Sequence, residues 1–177
     1  MLDIENQKYN RVAMALHWLM AALIIFNIAS MKFTDFMPRE WKSFLRYQHQ
    51  AVGVILLALI VWRIVWRFTH KVPPLPSDMS PMQVLASRVM HWSLYALMVV
   101  VPFTGLMREL TRGRGVGVWL FTIPTPFLDN RELSRTYFGG PHNLLGNVIM
   151  FLVAAHILAA LYHQFVRRDH LINRMAA

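Results

Sequence analysis

Apolar residues run almost unbroken through four stretches, at roughly 12–33, 47–68, 89–107 and 142–166. Each is long enough to cross about 30 Å of hydrocarbon as a helix, which takes about 20 apolar residues. The second contains the continuous run AVGVILLALIVW. Lysine and arginine are kept to the edges, except Arg63 near the end of the second stretch, which is expected to snorkel outward. Pro73, Pro74 and Pro76 stop that helix. Pro102, with Gly105 beside it, predicts a kink in the third. Gly139, Gly140 and Pro141 punctuate the approach to the fourth. Between the third and fourth lies the segment 108–140, whose apolar run VGVWLFTIPTPFL is interrupted by Pro124 and Pro126. It is too broken to span, and it is expected as an interfacial loop or short helix over one end of the bundle. The predicted fold class is all-α: an integral membrane protein with a four-transmembrane-helix bundle, one domain over 1–177.

Composition sharpens this picture. The 177 residues are 56% hydrophobic and 15% charged, more apolar and less charged than a typical soluble domain. There is no cysteine, which excludes disulfides, thiolate-held iron–sulfur clusters, covalent c-type haem and thiol catalysis. A net charge of +9 would point to nucleic acid in a soluble protein. Here the basic residues flank apolar helices, so anionic lipid head groups are the expected partners and nucleic acid is not. The first apolar stretch is too long for a signal-peptide core and lacks a small-residue cleavage site, so it reads as a retained helix. Four spans put both termini on one side. The 18 basic residues divide nine and nine between the two sides, but the long third loop holds five of the nine on the far side. Because the positive-inside rule weighs short loops near helix ends, the balance leans toward cytoplasmic termini.

Eight histidines carry the candidate chemistry, because ionisable side chains inside membrane helices mark functional sites. His70 and His170 sit in basic stretches outside the spans and are given no role. His142 and His156 are fourteen residues apart, close to four helical turns, so they share a face at depths about 21 Å apart. His49 starts the second stretch at the depth of His142. His17 lies about 22 Å from the far end of the first helix, at the depth of His156. His91, at about 25 Å, matches that depth as well, so depth alone leaves His17 and His91 both open as the partner of His156. Imidazoles facing each other from neighbouring helices form the axial pair of a b-type haem, and two tiers suit two haems. Gly53 and Gly146 each lie one turn beyond a candidate ligand, leaving room for a flat macrocycle. Haem propionates need cations: Lys42, Arg46 and Arg135 are available at one end and Arg88 at the other. His163, seven residues past His156 and near the membrane boundary, suits a quinone carbonyl better than an iron. The nine carboxylates all lie in loops or tails, and no hydrolase, phosphate-binding or dinucleotide motif is present.

The combined pattern resembles the bacterial cytochrome b561 family over nearly the whole chain. The matching features are A-L-H17-W, H49-x-x-x-G53, R63-x-x-x-R67 followed by P-P, and H142-x13-H156-x6-H163. The resemblance implies a four-helix membrane cytochrome of the bacterial inner membrane with two b haems and cytoplasmic termini. It implies His17/His156 as ligands of the cytoplasmic-side haem and His49/His142 as ligands of the periplasmic-side haem, favouring His17 over His91. His163 resembles the family's quinone-site histidine, and Arg63 and Arg67 are expected with it around ubiquinone. Some members oxidise superoxide at the periplasmic face and pass the electron to ubiquinone. The third-loop arginines Arg108, Arg112, Arg114, Arg131 and Arg135 would give that face a positive field to attract such an anion. A related group, the cytochrome b subunits of hydrogenases and formate dehydrogenases, implies an alternative role as the membrane subunit of a larger redox enzyme.

Overall fold

A computed structural model describes residues 8–76 and 78–176. Among the described residues, four helical runs are long and apolar enough to cross a membrane, Arg11–Phe36, Arg39–Thr69, Pro81–Leu110 and Arg131–Arg167. Helix α1 (Arg11–Phe33) starts at Asn10, whose side chain accepts the Ala13 N–H, the usual device for satisfying an orphan donor at a helix N-terminus. Helix α2 covers Arg39–Thr69 and α3 covers Pro81–Leu110. A capping box between Ser80 and Gln83, followed by Pro81 in the first turn, fixes the start of α3. Pro102 lies inside α3, as expected.

Both α2 and α3 begin eight residues earlier than their apolar runs. The extra turns, REWKSFLR in α2 with four charged residues and PMQVLASR in α3 with Pro81, Gln83, Ser87 and Arg88, are polar enough to escape a hydropathy reading while keeping good helix formers. His49 and His91 therefore lie well inside their helices. The fourth run also starts early. A short turn, α4 (Arg131–Leu133), leads into a π segment (Ser134–Gly139) and then α5 (Gly140–Tyr162). Helical structure passes straight through Gly139-Gly140-Pro141 instead of beginning there. The widened π turn tolerates Pro141, which brings no N–H and would crowd the carbonyl one α-turn back.

The segment expected as an interfacial loop or short helix contains a small hairpin, β1 (Val116–Val118) and β2 (Phe121–Ile123), antiparallel with Val116 opposite Ile123. Trp119 and Leu120 make its two-residue turn, and Trp119 takes a positive φ of 39°, as such tight turns require. The hairpin packs on α2. Trp119 Nε1 donates to Gln48 Oε1 at 2.9 Å, and a side chain on Gly117 would strike the Tyr47 ring at 2.8 Å. This end of the bundle is called the hairpin face below, and the opposite end the termini face.

Packing among the helices is uneven. The best-buried apolar cluster joins α1, α2 and α3 through Met20, Val52, Leu56, Ile60 and Tyr95, and contains no residue of α5. Among the described residues α5 packs chiefly against α3, and has no comparable direct packing with α1 or α2. Long apolar side chains such as Leu19, Phe26, Val61, Phe103, Phe151 and Leu158 point outward, as expected for helices solvated by lipid. The fourth helix is thus held off from the first two, leaving space between them.

Candidate functional site: two tiers of histidines

That space is a cavity of about 780 Å³ beside α2, α3 and α5, lined by His49, His142, Gly53, Gly105, Gly146 and Asn27 among others. The volume falls within the range of about 300–1,000 Å³ usual for cofactor pockets. The His49 and His142 ring centroids are 6.0 Å apart. An iron atom about 2 Å from a nitrogen of each ring requires centroids about 6 Å apart, so the pair is spaced for one iron. Both imidazoles are oriented from behind. His49 Nδ1–H donates to the Asn27 carbonyl at 3.2 Å, and His142 Nδ1–H donates to the Val101 carbonyl at 2.9 Å. A carbonyl only accepts, so Nδ1 carries the proton and Nε2 keeps its lone pair for a metal.

Three glycines shape this tier. A Cβ on Gly146 would meet nothing within 4 Å, and one on Gly53 only Asn27 Nδ2 at 3.8 Å. Both therefore open onto free volume, as their spacing from His49 and His142 suggested. Gly105 has a different purpose: its Cβ would lie 2.8 Å from Cε1 of His142, so only glycine lets that ring sit where it does. Asn27 is buried, its Nδ2 donates to the His49 carbonyl at 3.3 Å, and its Oδ1 has no partner. An orphaned acceptor beside a large cavity is the mark of a site shaped for something further.

The second tier lies about 21 Å along α5. His17 and His156 have ring centroids 6.3 Å apart, again the spacing for one iron. His91 stands closer to His156, at 5.6 Å, and its Nδ1–H donates to the Ser87 carbonyl at 2.7 Å. However, His91 is exposed on α3, whereas His17 and His156 are half-buried. The tier therefore brings together all three histidines that the depth argument left in play.

The cations are distributed differently from expectation. Of Arg46, Lys42 and Arg135, expected at this end, the cavity is lined by Arg46 only; Lys32, Arg108, Arg112 and Arg114 join it. Lys42 is half-buried elsewhere on α2, and Arg135 and Arg88 are exposed. At its C-terminal end α3 runs to Leu110, past Arg108, and brings the third-loop arginines over the mouth. Glu109 lies among them, 3.7 Å from Arg112 and 4.0 Å from Arg108.

Arg63 does not snorkel outward. It donates to the Ala13 carbonyl at 3.2 Å and lies 3.3 Å from His17 Nδ1, a different set of partners from that of His163. His163 is in a π segment (His163–Arg167) after α5. Its Nδ1 lies 2.6 Å from Asp169 Oδ2, and Arg167 ties the same carboxylate to Asp78 and Gln83. Arg67 lies over the Tyr95 ring, 5.7 Å from its centroid. The ion-pair cluster around His163 was not legible in the sequence, because Asp78, Gln83, Arg167 and Asp169 meet only once the chain has folded.

These paired histidines on a four-helix membrane scaffold agree with comparison to known proteins. The sequence pattern of prokaryotic cytochrome b561 matches residues 8–177. The chain belongs to this family. It is 30% identical over 170 residues to a Yersinia pestis protein named probable superoxide oxidase CybB, with 96% of each chain covered. It is 28% identical over 173 residues to cytochrome b561 homolog 2 of Escherichia coli (strain K12), covering 96% of this chain and 91% of the relative. It is 30% identical over 180 residues to cytochrome b562 of Cereibacter sphaeroides, covering 97% and 96%. Membership makes the chain a bacterial membrane cytochrome that uses b-type haem in electron transfer.

Proposed function

We propose that this b561-family cytochrome carries electrons across the bilayer between two haem sites. His49 and His142 hold one b haem near the hairpin face, and His17 and His156 hold a second toward the termini face. The observation that carries the reading is the pair of centroid spacings, 6.0 and 6.3 Å, at two levels of one helix. A b haem at each site supplies one-electron redox chemistry when bound. The residues of the chain then have separable tasks. Asn27 and Val101 orient the hairpin-face imidazoles. Gly53 and Gly146 leave the slot open, and Arg46 and Arg108 neutralise propionates at its mouth. The electron acceptor is ubiquinone at the termini face, hydrogen-bonded by His163 with Arg67 nearby, and both termini lie in the cytoplasm. Asp169 holds the His163 ring in place for that contact.

The donor at the hairpin face is superoxide, in keeping with the name of the Yersinia pestis relative. The cationic mouth raises the local concentration of a small anion. Replacing Arg112 and Arg114 together with glutamine is expected to slow reduction by superoxide severalfold and to flatten its dependence on ionic strength. Stopped-flow absorbance across a salt series measures both, and an unchanged salt slope would remove steering from the mechanism.

The deciding experiment for the whole reading is a pyridine haemochrome assay on the purified protein, with a reduced-minus-oxidised spectrum. Two haems per chain and a sharp α band are expected. One haem per chain, or none after expression with ample haem supply, overturns it.

A further inference from the structure

The backs of the proposed ligands differ in charge. His49 and His142 each turn Nδ1 to a backbone carbonyl. At His17 the Arg63 guanidinium lies 3.3 Å from Nδ1; with Nε2 on iron, Nδ1 carries the ring proton and accepts nothing, so Arg63 acts on this ligand through its charge. Arginine is always charged and only donates. The Ala13 carbonyl, one turn before His17, accepts from the same guanidinium at 3.2 Å and anchors it to α1. Arg63 is half-buried and no carboxylate pairs with it among the described residues. An unpaired cation in a low-dielractric interior acts strongly over a few ångströms. By contrast, two arginines of the hairpin-face cluster lie close to Glu109.

We propose that Arg63 is a positioning residue that raises the reduction potential of the haem held by His17, making the termini-face haem the electron acceptor of the two. This inference rests on the two-haem reading above. The sign follows from charge. Ferric haem carries one more positive charge than ferrous, so a fixed cation behind the axial imidazole disfavours the oxidised form. Carbonyls behind His49 and His142 act oppositely: they draw the Nδ1 proton, make the ligand more basic and favour ferric iron. The contrast makes transfer downhill from the hairpin face toward the termini face, without any change in ligand type.

The test is spectroelectrochemical titration of the holoprotein, with haem per chain measured on the same samples. In Arg63→Gln, one of two midpoints is expected to fall by at least the equivalent of a tenfold change in the redox equilibrium, 59 mV for one electron. The other should stay fixed. Arg63→Lys, which keeps the charge, should recover most of the shift. His49→Ala identifies which midpoint belongs to which haem, because the Arg63-sensitive wave must survive in it. If both midpoints are unchanged in Arg63→Gln with two haems bound, the inference is overturned. It is equally overturned if the midpoint lost in His49→Ala is the one that moves, or if Arg63→Lys shifts as far as Arg63→Gln. Should Arg63→Gln lose haem, Arg63→Lys and Arg63→Met are titrated instead and judged by the same contrast. A wild-type protein with a single haem would fail the two-haem reading itself, and the haem assay reports that separately.

Discussion

Replacing either His49 or His142 with alanine is expected to remove one and the same haem, and replacing either His17 or His156 the other. Each single variant should therefore fall from two haems per chain to one. Each of the four double variants that combine one residue from each tier should retain none. The magnitude is large because a six-coordinate low-spin iron held by two imidazoles loses half its protein ligands in a single step. The macrocycle then has only apolar contacts and its propionate partners to hold it. The pairing, more than the loss, is the sharp part of the expectation. His49 and His142 come from α2 and α5, which scarcely touch, so nothing but a shared ligand would make the two variants spectrally alike. Pyridine haemochrome stoichiometry and low-temperature α-band spectra resolve the two haems. Retention of both in any one variant would show that its histidine is not a ligand, and retention in His17→Ala with loss in His91→Ala would move the axial role to His91.

Much of this arrangement was legible before folding, for reasons that can be named. The four spans follow from length and apolarity, because hydrocarbon imposes a minimum on both. The depth pairing follows from helix rise alone, since fourteen residues along α5 fix the separation of His142 and His156 regardless of packing. What depth could not provide was lateral position. His17 and His91 stand at similar levels, and only the three-dimensional packing shows both within reach of His156, with His91 on an exposed flank. Charge assignments were the least legible. Arg135 lies in the right strip of sequence, yet it is exposed and does not line the cavity, while Arg108 arrives there on a helix that runs further than its apolar run. Arg63 was placed by motif with the quinone residues, and its engagement of His17 depends on a rotation of α2 against α1 that no linear pattern encodes. The hairpin at Val116–Ile123 was hidden because its strands are three residues each, below the length at which alternation can be read.

Gly146→Phe should exclude the hairpin-face haem while leaving the protein inserted and the other haem bound. A Cβ at this position meets nothing within 4 Å, and the residue lines the cavity beside His142. A side chain leaving the helix there starts in open space, so the apo fold is expected to tolerate the ring. It would occupy the volume that the flat macrocycle needs one turn beyond the ligand, where overpacking cannot be relieved by a shift of α5 without disturbing the Val101–His142 hydrogen bond. The expected result is one haem per chain, with the spectrum of the His17/His156 site alone and unaltered expression and membrane insertion. Gly146→Ala supplies the control: a single methyl group in open volume should keep both haems. Because every histidine is intact in Gly146→Phe, this pair of variants separates the shape of the slot from the identity of its ligands. Full haem occupancy in Gly146→Phe would mean that the macrocycle does not lie against this face of α5, and the cavity between the fourth helix and the first two would then need another occupant.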